Sequence, residues 1–169
     1  MDVFEAVRTV LALRSYNGNS VPEEVVHRIV EAGRLSASAM NAQPWHFVVV
    51  EERATLRSLG EIIKTGRYTA DASFAIVVLL QKTSKLVVSD ASRAVQNMIL
   101  TAWSDGVGSN WVGFGPLPEV ERLLGVPETH WALAVVPFGY PDATLGRGRK
   151  KRKPLGEVAS RERFGTPFA

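Results

Sequence analysis

Ser36–Glu51, SASAMNAQPWHFVVVE, is a polar run of small residues that passes directly into an apolar one. Ser36, Ser38, Asn41 and Gln43 supply side-chain donors and acceptors, while Ala37, Ala39 and Ala42 keep the backbone accessible. Pro44 stops a helix at Gln43, because the residue before proline is pushed toward extended geometry. Trp45, Phe47 and Val48–Val50 then read as a short buried strand. A loop of neutral hydrogen-bonding groups held by a strand suits a flat, heteroatom-rich ligand. The same composition also serves an ordinary helix-to-strand connection.

On either side of this stretch the apolar spacing alternates between helix and strand. Val3, Phe4, Val7, Val10 and Leu11 predict a helix over 3–13. Asn17-Gly-Asn19 forms a turn, and Ser20-Val-Pro-Glu23 has capping-box spacing with proline in the first turn of a helix running to Arg34. That helix buries Val25, Val26, Ile29 and Val30. Another is predicted over Arg53–Lys64, with Leu56, Leu59, Ile62 and Ile63 inward. Phe74–Leu80 reads as a central strand. Ser89-Asp90 is placed as the cap of a long helix to Ser104, apolar over much of its circumference. Gly106-Val-Gly108 ends it, Ser109–Val112 is a short strand, and Pro118–Leu124 is a short helix closed by Gly125. Trp131–Phe138 is the last strand, ending at Gly139-Tyr140-Pro141. Two helices followed by alternating strands and helices predict an α/β or α+β sandwich.

The 169 residues, 46% of them hydrophobic, fit a single domain spanning 1–169, with 142–169 as a basic C-terminal extension. There are no cysteines, so disulfides, thiolate metal sites and cysteine nucleophiles are excluded, as suits a reducing cytosol. Asp2 and Glu5 stand where a signal peptide carries basic residues, and the apolar runs are too short to cross a bilayer. A soluble cytoplasmic protein with no membrane partner is expected. The net charge of +3 hides one local feature. Arg147, Arg149, Lys150, Lys151, Arg152 and Lys153 put six positive charges into seven residues; without them 14 basic residues face 17 acidic ones. Such a run is a solvated tail, a nucleic-acid contact or a phosphate clamp. It lacks interleaved aromatics, so nucleic acid is not the expected partner.

Two further motifs bear on chemistry. Leu13-Arg14-Ser15-Tyr16-Asn17 follows the first helix. Its arginine beside a hydroxyl suits phosphate oxygens, though an arginine there also complements the helix dipole. Gly108-Ser-Asn-Trp-Val-Gly113-Phe-Gly115 lets the backbone approach a ligand beside an aromatic, or simply ends a helix and starts a strand. Neither a dinucleotide fingerprint nor a P-loop is present. His27, His46 and His130 are too scattered for a metal site.

In this order the motifs resemble the nitroreductase family of FMN-dependent oxidoreductases. Ser36–Val50 is similar to the family's S-P-S-x-x-N-x-Q-P-W-x-F, and Arg14-Ser15 to the second and third residues of R-R-S-x-R. Gly106–Gly113 resembles G-x-G-S-x-W-x-G, Gly139-Tyr140-Pro141 the G-Y-P turn, and Lys153-Pro154-Leu155 the K-P-L tail. The resemblance implies an α+β sandwich with a mostly antiparallel central sheet flanked by helices, in an intertwined homodimer. It implies FMN as cofactor, NADH or NADPH as donor, and a nitroaromatic, quinone or similar small acceptor. Arg14, Ser15, Lys150 and Arg152 would hold the phosphate, with Asn17 at the place of a family cation. Ser38, Asn41 and Gln43 would reach the flavin from the partner subunit, and Val112-Gly113 would approach its redox-active edge. Trp111, Phe114 and Tyr140 would line the acceptor pocket, or pack in the core. No side chain is expected to be catalytic, because the flavin carries the chemistry. The helix from Asp90 to Ser104 would form the dimer core. Leu13 and Asn17 replace two family cations and Ala37 a proline, so the basic run at 147–153 is expected to compensate. The alternatives are other flavin chemistry on the same fold (dehalogenation, flavin fragmentation, deazaflavin-linked reduction) or a non-catalytic nucleotide- or nucleic-acid-binding protein.

Overall fold

The fold is built around one strand. Phe74–Gln81 (β2) is apolar from Phe74 to Leu80 and pairs antiparallel on both sides, with Trp45–Val50 (β1) and with His130–Gly139 (β4). Gly108–Ser109 (β3) joins the far edge of β4, giving the order β1-β2-β4-β3. The structure, a computed structural model, describes residues 1–82, 86–142 and 150–168; Arg147 and Arg149 of the basic run lie outside them.

Because side chains alternate across a strand, β2 feeds two cores. Phe74, Ile76, Val78 and Leu80 pack on one face against the helices Glu23–Arg34 (α2) and Val87–Ser104 (α4). On the other face Ala75, Val77 and Leu79 pack with Leu56 and Leu59 of Arg53–Ile62 (α3) and Val120 of Pro118–Leu124 (α5). The rings of Phe74 and Phe138 stack across β2 and β4 at 4.9 Å. Where α2 meets α4, a Cβ on Gly33 would stand 2.3 Å from Met98 Cε, so these helices approach closely. The fold is thus α+β, a four-stranded antiparallel sheet flanked by helices. Among the described residues, no helix is long and apolar enough to cross a membrane.

Several expectations are corrected. The first helix, Val3–Thr9 (α1), stops short of Leu13, because residues 12–17 instead run beside β3 and the end of β4. Its apolar face is not inward: Val3 and Phe4 are 77% and 75% exposed. The capping box at Ser20–Glu23 does not form, since α2 begins at Glu23 with Pro22 as its N-cap and no side-chain cap bond. Ser89-Asp90 does not cap α4, which starts earlier, at Val87. That helix is not apolar all round either; Ser89, Arg93, Gln96, Asn97 and Ser104 are exposed. The strand Trp45–Val50 is an edge strand and only partly buried. The predicted strand Ser109–Val112 reduces to Gly108–Ser109 and a separate bridge from Val112 to Val135.

The segment after α1 is anchored by Tyr16. Its ring packs with Leu13 and Ala72, and its hydroxyl donates to the Pro137 carbonyl at 3.2 Å. Burial pushes the phenol's pKa far above its ordinary value. A Cβ at Gly139 would stand 2.8 Å from Tyr16 Cδ1 and 3.2 Å from the Ser73 backbone nitrogen. Gly139→Ala should therefore destabilise the protein by about 1–3 kcal/mol through overpacking. Thermal unfolding followed by circular dichroism measures this, and a wild-type midpoint would show that Tyr16 moves aside freely.

Candidate functional site

A cleft of about 990 Å³ lies where α1, α4, the strand β3 and the start of the C-terminal segment meet. Val7, Val10, Leu11, Ile99 and Trp111 form an apolar wall, and Lys150 and Arg152 stand at it as cations. Gln96, Ser109 and Asn110 add neutral hydrogen-bonding groups. Each piece has a local cause. Leu13 N–H donates to the Ser109 carbonyl at 2.9 Å, which ties the chain after α1 to β3. Trp111 is held by its indole N–H, which donates to the Gly113 carbonyl at 2.8 Å. Asn110 donates to the Tyr68 hydroxyl at 2.6 Å, linking the cleft to the 3-10 segment Lys64–Asp71.

Among the described residues, neither Lys150 nor Arg152 pairs with a carboxylate, whereas Arg8 is engaged by Glu5 at 2.8 Å. Lys150 donates to the Val7 carbonyl. Its pKa is lowered by burial of the ammonium and further by repulsion from Arg152. Two cations side by side without a counter-charge favour an anionic ligand.

The other predicted site residues fall in different places. Arg14 and Ser15 are exposed, and the Ser15 hydroxyl donates to Asp142 at 3.0 Å. Asn17 is exposed, with its backbone N–H on the Tyr140 carbonyl and its side chain accepting from Asn19 N–H. Both backbone polar groups of Val112 bond to Val135. Gly113 is left-handed, with φ of 70°. Phe114 is 73% exposed and its ring lies 6.3 Å from that of Trp111, while Tyr140 packs against the core. None of Arg14, Ser15, Asn17, Phe114 and Tyr140 lines the cleft, whereas Trp111, Lys150 and Arg152 do.

Ser38, Asn41 and Gln43 lie on the loop that leads into β1 and do not line the cleft. The loop is tightly folded: Met40, Asn41 and Gln43 have φ of 52°, 55° and 47°. Gln43 is therefore left-handed rather than extended, which corrects the expectation drawn from Pro44. A non-glycine residue held so costs about 1–3 kcal/mol unless surrounding bonds impose it. Here the Ser38 hydroxyl accepts from Gln43 N–H at 2.9 Å and closes the turn.

A profile described as the nitroreductase family matches residues 8–85 and 68–140. A protein of Methanothermobacter thermautotrophicus, named as a candidate NADH dehydrogenase/NAD(P)H nitroreductase, is 38% identical over 154 residues, 86% of this chain and 81% of the relative. The chain belongs to the nitroreductase family. A crystal structure of a protein so named from Bacteroides thetaiotaomicron superposes with a TM-score of 0.87 at 28% identity, covering 96% of this chain and 98% of that one. An FMN-dependent nitroreductase from Clostridium difficile shares the fold at a TM-score of 0.87 and 21% identity, over 95% and 99% of the two chains.

Arg8, Gln96 and Asn110 at the cleft, and Tyr68 behind it, were not singled out from the sequence. Asn110 sits inside the quoted Gly108–Gly113 motif and was the one legible in principle. Tyr68 and Asn110 are distant in sequence, and only the packing of the 3-10 segment on β3 joins them. Replacing both (Tyr68→Phe with Asn110→Ala) should cost less than the sum of the single changes, with a coupling of about 1 kcal/mol. Urea unfolding of the four proteins tests this; strict additivity would mean that the bond contributes nothing.

Proposed function

We propose that this nitroreductase-family chain is a homodimeric oxidoreductase that holds FMN in the cleft and passes electrons from NADH or NADPH to a small acceptor such as a nitroaromatic or a quinone. The observation that carries this reading is the cleft's two-part lining: an apolar wall with Trp111 beside two cations, Lys150 and Arg152, that no described carboxylate neutralises. Those parts fit a flat apolar ring system joined to a phosphate. FMN, when bound, supplies the two-electron chemistry between nicotinamide and acceptor. The protein's own part is to bind, orient and exclude water.

In this reading Lys150 and Arg152 hold the phosphate, with Arg14, Ser15 and Asn17 at its approach. Leu13, only 4% exposed, is a packing residue and contributes no charge. The burden of phosphate binding therefore falls on the C-terminal cations. Gly113 offers backbone beside the ring, and Trp111, Phe114 and Tyr140 border the acceptor. Ser38, Asn41 and Gln43 act from the partner subunit. Support for that last point comes from α4. The loop is bonded to it at Asp90 and Asn97, whereas the cleft touches it at Gln96 and Ile99, which the helical turn of about 100° per residue directs to other sides of the helix. One chain keeps loop and cleft apart, and a second copy would bring a loop to each cleft. The exposed apolar side chains of Val3, Phe4, Leu155 and Val158 offer surface for such a partner.

Purified protein should be yellow and should bleach under NADH or NADPH; a colourless protein that refuses FMN overturns the reading. Lys150→Ala with Arg152→Ala should weaken FMN binding by about tenfold or more, as expected for lost charge-assisted hydrogen bonds at a partly solvated site. An unchanged affinity would remove the clamp from these residues. Affinity should also fall as pH rises through the lowered Lys150 pKa. Above that value the free protein carries a neutral amine, which must take up a proton to meet the phosphate. Lys150→Ala should abolish that alkaline limb in a titration of FMN fluorescence. In solution the mass by light scattering should be that of a dimer, and Phe4→Glu should shift it toward monomer.

A further inference from the structure

Asp90 is a carboxylate only 2% exposed on the first turns of α4, yet it serves neither as that helix's cap nor in the cleft. Both its oxygens accept from one backbone group, the N–H of Ala39, at 3.2 Å, and Oδ1 also meets Arg93. Two turns further along the same helix face, Asn97 Nδ2 donates to Ser36 Oγ at 2.7 Å. Ser36 in turn donates to the Ala32 carbonyl at the end of α2. The loop 36–43 is thus bolted to α4 at two points, with Ser38 between them and the left-handed residues Met40, Asn41 and Gln43 just beyond.

We propose that Asp90 and Asn97 are positioning residues: together they impose the strained loop conformation that presents Ser38, Asn41 and Gln43 to the flavin. The proposal rests on the FMN reading above. Left-handed backbone at three non-glycine residues persists only where surrounding bonds over-determine it. The loop's own bonds are few: Gln43 N–H to Ser38 Oγ, Gln43 Nε2 to the Asn41 carbonyl, and two turn bonds from Asn41 and Ala42. A buried carboxylate that accepts from Ala39 N–H fixes the backbone immediately after Ser38. An amide fixing Ser36 sets the direction in which the loop leaves α2. Arg93, half-exposed, supplies the counter-charge that lets Asp90 stay buried.

Two variants of the full-length chain test this, Asp90→Asn and Asn97→Ala. Asn97 is exposed, so its variant keeps the test open if Asp90→Asn does not fold. Amide hydrogen exchange is first measured on flavin-free protein. The backbone amides of residues 38–43 should exchange about tenfold faster in each variant, the effect of losing one well-made hydrogen bond, with the β2 amides unchanged. FMN is then titrated in. Its Kd should rise by about tenfold and the midpoint potential of the bound flavin should move from the wild-type value, a change that general loosening elsewhere would not produce. Exchange at 38–43 equal to wild type overturns the latch. Faster exchange with wild-type FMN affinity and potential overturns the positioning role. A wild-type protein that takes no FMN overturns the underlying reading, and the exchange result then decides the latch separately.

Discussion

The antiparallel pairing of Phe74–Gln81 on both of its edges is the constraint on which the rest depends. Its backbone polar groups find partners in β1 and β4, and its side chains from Phe74 to Leu80 are almost wholly buried. An apolar strand of this kind has to be covered on both faces, so α2 and α4 lie on one side and α3 and α5 on the other. Once β4 is placed beside it, Gly139 and Phe138 pair with Gly108 and Ser109. That pairing positions Ser109, Asn110 and Trp111 at the cleft. Burial of one strand is thus what places the candidate site at the margin of the sheet.

The helix α4 carries that order outward to the loop 36–43 and to the cleft. Its buried side, Ala91, Ala94, Val95, Met98 and Ala102, packs against the sheet and α2. Its remaining faces hold Asp90 and Asn97 on the loop 36–43, and Gln96 and Ile99 at the cleft. Within one chain, loop and cleft therefore meet different sides of the same helix.

Charge is distributed in the same economical way. Leu13, which stands where the family pattern has a cation, packs with Tyr16 and Ala72 and lies against Gly108. The cations Lys150 and Arg152 are brought to the cleft by the return of the C-terminal segment to α1.

Much of this architecture was legible in the order of residues. Period-two and period-3.6 apolar spacing locates β2, β4, α2, α3 and α5 nearly to their ends, because burial of alternate or every third and fourth side chain is a local consequence of backbone geometry. The Gly125 stop and the Ser36–Trp45 motif are equally local. What failed depends on neighbours far along the chain. The edge position of β1, the early end of α1, the outward turn of Val3 and Phe4, and the left-handed Gln43 all follow from contacts the local spacing does not encode. Asp90 shows the difference most clearly. Beside Ser89 it reads as a helix cap, since a carboxylate near a helix start usually meets the nearest free N–H. In the folded chain α4 begins earlier, at Val87, and the N–H that Asp90 finds is that of Ala39, fifty-one residues away. The sequence by itself determined which segments are buried and in what order; tertiary structure alone decided which distant donor each buried acceptor meets, because that requires two elements to be packed before the bond can exist.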